Sequence, residues 1–185
     1  MRYALVAAAG LAVLAGCSRP PQLPVYGEIP RFTLTSQSGG TFDSKSLAGK
    51  IWVADFMFTR CMGPCPRMTS QMHSIQKKTA DVAGVRFVSF TIDPEYDTPP
   101  VLAAYAKRFR ADPERWFFLT GAVPTLQNLN RNAFKLGDID GSMMHSTRFV
   151  LVDRVGRVRG YYRTEEGESL DPLIAGIRSL AKEPS

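Results

Sequence analysis

The chain is short of the residues that build covalent and metal frameworks: its 185 residues include three cysteines and two histidines. Three thiols cannot make a multi-bridge disulfide scaffold, and the odd count leaves one for a separate task. Long apolar runs are also missing. The one at residues 3–14 is too short to span a bilayer as a helix, which excludes a polytopic membrane protein. There is no internal repeat and no long low-complexity segment, and 44% hydrophobic with 22% charged residues excludes a wholly disordered chain. Acidic residues are outnumbered, 17 to 23 basic, giving a formal charge of +6. That balance alone places nucleic acid or an anionic membrane among the candidate partners. The length fits one ordinary domain with a tail.

What is present starts at the amino end. Met1 and Arg2 make a basic start, and the apolar run ends in Leu14-Ala15-Gly16-Cys17. This resembles the lipobox of bacterial lipoproteins, which implies cleavage before Cys17 and lipid on its thiol. Residues 1–16 are then a signal peptide and residues 17–29 a linker rich in proline (Pro20, Pro21, Pro24). Residues 30–182 form the domain, held by its lipid anchor at the periplasmic face of a bacterial membrane. Nucleic acid drops out as a partner of an exported protein.

Within the domain, Gly39-Gly40 predicts a small hairpin, and the continuous apolar run 51–58 predicts a strand buried on both faces. Cys61 and Cys65 follow at once. Pro66 suits a first helical turn, and Met68, Met72 and Ile75 recur at helical spacing, so the cysteines sit where a strand hands over to a helix. Residues 85–92 predict a second buried strand and Thr98-Pro99-Pro100 a capped helix start. A strand at 116–120, a helix carrying Leu126, Leu129 and Ala133, a hairpin turning at Gly156 and an amphipathic helix at 170–180 complete the order. This order predicts an α/β fold, a thioredoxin-like three-layer α/β/α domain with a central mixed sheet.

Cys61 and Cys65 at a helix start have a dipole and free backbone donors that favour thiolates, and can close a disulfide or hold a metal. His145 precedes the strand that returns beside the first strand's end. Two thiolates and one imidazole suit Cu(I), or Cu(II) with a further oxygen ligand, whereas structural zinc takes a fourth good protein ligand.

Several stretches, in order, resemble the Sco/SenC family of copper chaperones for cytochrome c oxidase assembly. They are Gly49-Lys50, Phe56-Met57-Phe58-Thr59-Arg60-Cys61 through Cys65-Pro66, Asp93-Pro94-Glu95-Tyr96-Asp97-Thr98-Pro99, Trp116 with Leu119-Thr120-Gly121, His145-Ser146 and Arg159-Gly160-Tyr161-Tyr162. The resemblance implies copper binding by Cys61, Cys65 and His145, and delivery to the copper-binding subunit of cytochrome c oxidase or to another copper chaperone. A Cys61–Cys65 disulfide would exclude the metal. The family pattern differs where this chain has Met143-Met144, whose thioethers are read as loop or core residues ahead of auxiliary ligands.

Other residues carry open alternatives. Asp93 ends a strand and either supplies an auxiliary oxygen to copper or caps a loop. Asp55, a carboxylate in an apolar strand, resembles the buried acid of thioredoxins and would serve as proton relay if the protein were instead a thiol-disulfide oxidoreductase that keeps the acceptor's copper-ligand cysteines reduced. The plain alternative pairs it with a nearby cation. His73 lies off the Met68–Met72 stripe and is read as a helix flank. Val123-Pro124-Thr125 imitates the cis-proline motif of redox thioredoxins but is followed by helical spacing. A thiol peroxidase is disfavoured because proline and threonine do not frame Cys61.

Overall fold

The computed structural model describes residues 22–137 and 146–184. Cys17, Met143, Met144 and His145 lie outside the described residues.

The central strand β4 (Ile51–Met57) is buried at every position, as its unbroken apolar run predicts. It pairs in parallel with β5 (Val85–Thr91), which pairs in parallel with β6 (Trp116–Thr120). Antiparallel strands complete the sheet on both sides. β7 (Arg148–Val152) pairs with β4 and with β8 (Arg157–Arg163), and the hairpin of β2 (Thr33–Ser36) and β3 (Thr41–Asp43) adds to β6. With β1 (Gly27–Glu28) at one edge, the eight strands among the described residues run β1-β8-β7-β4-β5-β6-β2-β3. The two hairpins turn through Gly39 (φ 82°) and Gly156 (φ 88°), left-handed conformations that suit glycine.

Three helices cover one face: α1 (Pro64–Lys78), α2 (Pro99–Arg108) and α4 (Asp171–Lys182). They touch one another, through the Thr69 and Tyr105 hydroxyls at 3.0 Å and through Arg178 on Asp81 just beyond α1. α3 (Val123–Asn128) and a widened turn at Leu129–Ala133 cover the other face. From there Phe134 packs against Trp52, Phe56 and Phe90. The alternation of β4 thus sends Trp52 and Phe56 to one layer and Asp55 to the other.

Two details depart from expectation. The domain starts before residue 30: β1 (Gly27–Glu28) pairs with β8, and Leu23 and Pro24 give their carbonyls to the buried Arg159 guanidinium. Thr98 is the N-cap residue of α2, but its side chain makes no cap hydrogen bond. Among the described residues no helix is long and apolar enough to cross a membrane.

Candidate metal centre

The parallel strands β4 and β5 end side by side, and the loops that follow them build the candidate site, as loops beyond the carboxyl ends of α/β strands commonly do. The loop after β4 carries Cys61, and α1 opens with Pro64-Cys65-Pro66, so Cys65 sits in the helix's first turn. Both prolines suit that turn, where backbone donors have no helical partner.

The two sulfurs are not joined in a disulfide. Cys61 is 8% exposed and Cys65 is wholly buried. The Gly63 N–H donates to Cys61 Sγ at 3.4 Å, and the Cys61 N–H to the Phe58 carbonyl at 3.3 Å. Burial pushes the Cys65 thiol well above its ordinary pKa. The Phe58 backbone pulls it down, while the Cys61 thiol and the charge of Asp55 push it further up. Burial thus works at Cys65 against the thiolate that a helix start favours.

Asp55 lies in the layer covered by α1 and is fully buried. Its Oδ1 accepts the Ser89 hydroxyl at 2.6 Å, and Ser89 Oγ accepts the Trp116 indole N–H at 3.0 Å. Its Oδ2 has no hydrogen-bond partner among the described residues. Burial raises its pKa to about 7, against the lowering effect of Ser89. The cation that would pair it is absent from its surroundings among the described residues, so the proton-holding reading suits it better.

Asp93 lies two residues beyond the end of β5, which stops at Thr91, and pairs with a cation: Arg60 Nε donates to its Oδ2 at 2.7 Å. The Arg60 guanidinium also lies 4.8 Å from the Tyr96 ring centre. Asp97 has a role that the sequence reading missed. Fully buried, it accepts from the Thr59 N–H at 3.1 Å, from the Thr59 hydroxyl and from the Thr91 hydroxyl at 2.5 Å. This carboxylate ties the start of the cysteine loop to the end of β5. Part of the signal was there, since Thr59 and Asp97 each stand in a motif stretch, whereas Thr91 lies outside both. His73 is half-buried on α1, and its Nδ1 has no partner among the described residues. Among the described residues no three His, Cys, Asp or Glu converge, so Asp93 and His73 stand apart from the thiols.

The chain that resumes after His145 is tied to the cysteine helix. Thr164 gives its N–H and its hydroxyl to the Thr147 carbonyl at 3.0 and 2.7 Å, and its own carbonyl accepts from Arg67 at 3.2 Å and Gln71 at 3.4 Å of α1. β7 then runs antiparallel to β4, so it starts at the end of the sheet where β4 finishes. Two soft sulfur donors in a sheltered turn suit a soft cation such as Cu(I).

Comparison with known proteins gives a consistent picture. The SCO1/SenC family model matches residues 24–182. A SCO1/SenC family lipoprotein from Bacillus anthracis has a crystal structure of TM-score 0.78, at 33% identity, covering 84% of this chain and 96% of that one. BsSco, described as a member of the Sco family of cytochrome c oxidase assembly proteins with a disulfide switch, superposes with TM-score 0.77 at 31% identity, over 89% and 100%. ScoI of Bradyrhizobium japonicum, solved with copper bound, gives TM-score 0.65 at 26% identity, over 83% and 99%.

Proposed function

The chain belongs to the SCO1/SenC family, and from that premise we propose that it is a copper chaperone that takes copper through Cys61, Cys65 and His145 and delivers it to the dinuclear copper site of cytochrome c oxidase. The observation that carries this reading is the pair of unbridged thiols at the strand-to-helix turn. The tie from Thr147 through Thr164 to α1 supports His145 as the third ligand. Solved relatives are described as copper-bound and as oxidase assembly proteins.

Copper is the cargo. Cys61 and Cys65 bind it as thiolates, giving up their protons, and the imidazole of His145 binds as the neutral ring. Three ligands make a low-coordinate site that an incoming acceptor thiolate enters and then empties by ligand exchange, with no change in the copper's charge. Oxidation of the two thiols to a disulfide removes both sulfur donors and stops binding. Cys17 carries the lipid that holds the domain at the periplasmic face of the membrane. The lipobox-like sequence supports this, and a structural relative is described as a lipoprotein.

A second reading, a thiol-disulfide oxidoreductase acting on the acceptor's cysteines, is favoured by one observation: Asp55 is buried with an oxygen that has no partner among the described residues, placed to hold a proton. The two readings separate by titrating the reduced chain with Cu(I) against a competing chelator. The chaperone reading expects one tightly held copper that His145→Ala weakens. Wild-type affinity in His145→Ala, with thiol-disulfide reductase activity retained, favours the enzyme.

A further inference from the structure

The four described methionines divide sharply. Met57, Met68 and Met72 are wholly buried, whereas Met62, directly after Cys61, is 98% exposed. No other exposed large apolar side chain among the described residues comes near that value, the next being Val155 at 64%. Methionine is ordinarily a core-filling residue, and leaving it in water forgoes the burial free energy its three siblings gain.

Its neighbours give the exposure a chemical meaning. The thiols are sheltered, Cys61 at 8% and Cys65 at 0%, so a copper ion arriving from solution or from a partner does not meet them first. The Met62 thioether is a soft donor standing in solvent one residue away, on the short stretch between the two sulfurs. A thioether has no proton to lose, so it can take Cu(I) as it stands at the surface, before the ion reaches the sheltered sulfurs.

We propose that Met62 is a relay donor for Cu(I), receiving the ion at the surface and passing it to Cys61. This rests on the copper-chaperone reading. In the uptake step the Met62 S–Cu bond breaks as the Cys61 S–Cu bond forms, the Cys61 thiol proton goes to solvent, and copper stays Cu(I). Release follows the same path in reverse.

The test is stopped-flow transfer of Cu(I) between the reduced chain and bicinchoninate, followed in both directions for wild type, Met62→Leu and Met62→Ala. Leucine keeps the apolar bulk and removes the sulfur. A relay predicts that uptake and release both slow by about tenfold in both variants, a barrier change of one tenfold unit. Wild-type rates in Met62→Leu overturn the proposal, including the case where only Met62→Ala is slow, which marks an apolar contact. Faster release with unchanged uptake also overturns it, because Met62 would then be a resident ligand. If wild type itself takes no copper from bicinchoninate, the chaperone reading falls first and the relay with it.

Discussion

At the two ends of the sheet charge is buried in different ways. Where β7 turns into β8, Arg159 is 3% exposed and all three of its guanidinium nitrogens donate: to the Leu23 and Pro24 carbonyls, to Asp153 and to Glu183. Burial pushes Asp153 up, but the Arg157 backbone N–H and the two guanidinium partners more than offset it and hold the carboxyl below its ordinary value. Toward the end of β4, Asp55 is buried with one oxygen unpartnered among the described residues and its pKa raised to about 7, near a buried thiol that is also raised. Complete pairing makes the first cluster a clasp that fastens the incoming chain and the end of α4. Incomplete pairing leaves the second cluster with groups poised to give up or hold protons, where function gathers.

Four substitutions would break or sharpen this contrast. Cys65→Ser removes a proposed ligand, so Cu(I) affinity should fall by more than about a hundredfold, beyond what loss of an outer-shell partner does; competition with a chelator reads it directly. Arg159→Ala strips Asp153 and Glu183 of their buried partner and should cost about 3–5 kcal/mol in urea unfolding, while the copper affinity of the folded fraction stays as in wild type.

The third concerns pH, where the two ends have opposite signs. Asp153 has a depressed folded pKa, so its contribution is present above the unfolded value of 3.8 and is lost as pH falls through the lower folded value. Asp55 is raised from 3.8 to about 7, so its contribution is complete below 3.8 and is lost as pH rises through about 7. That loss amounts to something on the order of 4 kcal/mol. Asp55→Asn should therefore gain stability relative to wild type as pH climbs from 4 to 8, measured as the shift in urea midpoint. A difference that stays flat over that range would show that Asp55 is not held neutral by burial.

The smallest effect belongs to Asp97→Asn. It weakens the acceptor for Thr59 and Thr91, and should cost about 1–3 kcal/mol of stability, the range for a buried partner lost. It should also speed alkylation of Cys61 by iodoacetamide, since the loop that carries Cys61 is tied down there.

Most of the sheet is legible in the sequence because its signals are local. The run 51–57 could hardly be other than a doubly buried strand, and Met68, Met72 and Ile75 draw the buried stripe of α1. β1 was not legible: Gly27-Glu28, near Pro24 and Pro30, has no strand pattern, and its pairing is supplied by β8, some 130 residues later. The cysteine pair was legible from spacing and from the family motifs around it. The raised state of Cys65 was not, since the dipole is written in the sequence while desolvation depends on how α1, β4 and α2 pack. Likewise the sequence leaves Asp93 open between ligand and loop cap, and its pairing with Arg60 shows only in the fold, while Asp97 stands in a motif stretch with no role of its own until Thr59 and Thr91 converge on it.

The central claim is that Cys61, Cys65 and His145 together hold the copper. Copper-edge X-ray absorption of the Cu(I)-loaded chain tests it most directly. The account predicts two sulfur donors and one imidazole nitrogen, with the nitrogen signal lost in His145→Ala and a sulfur lost in Cys61→Ser. An absorption spectrum that His145→Ala leaves unchanged would contradict it.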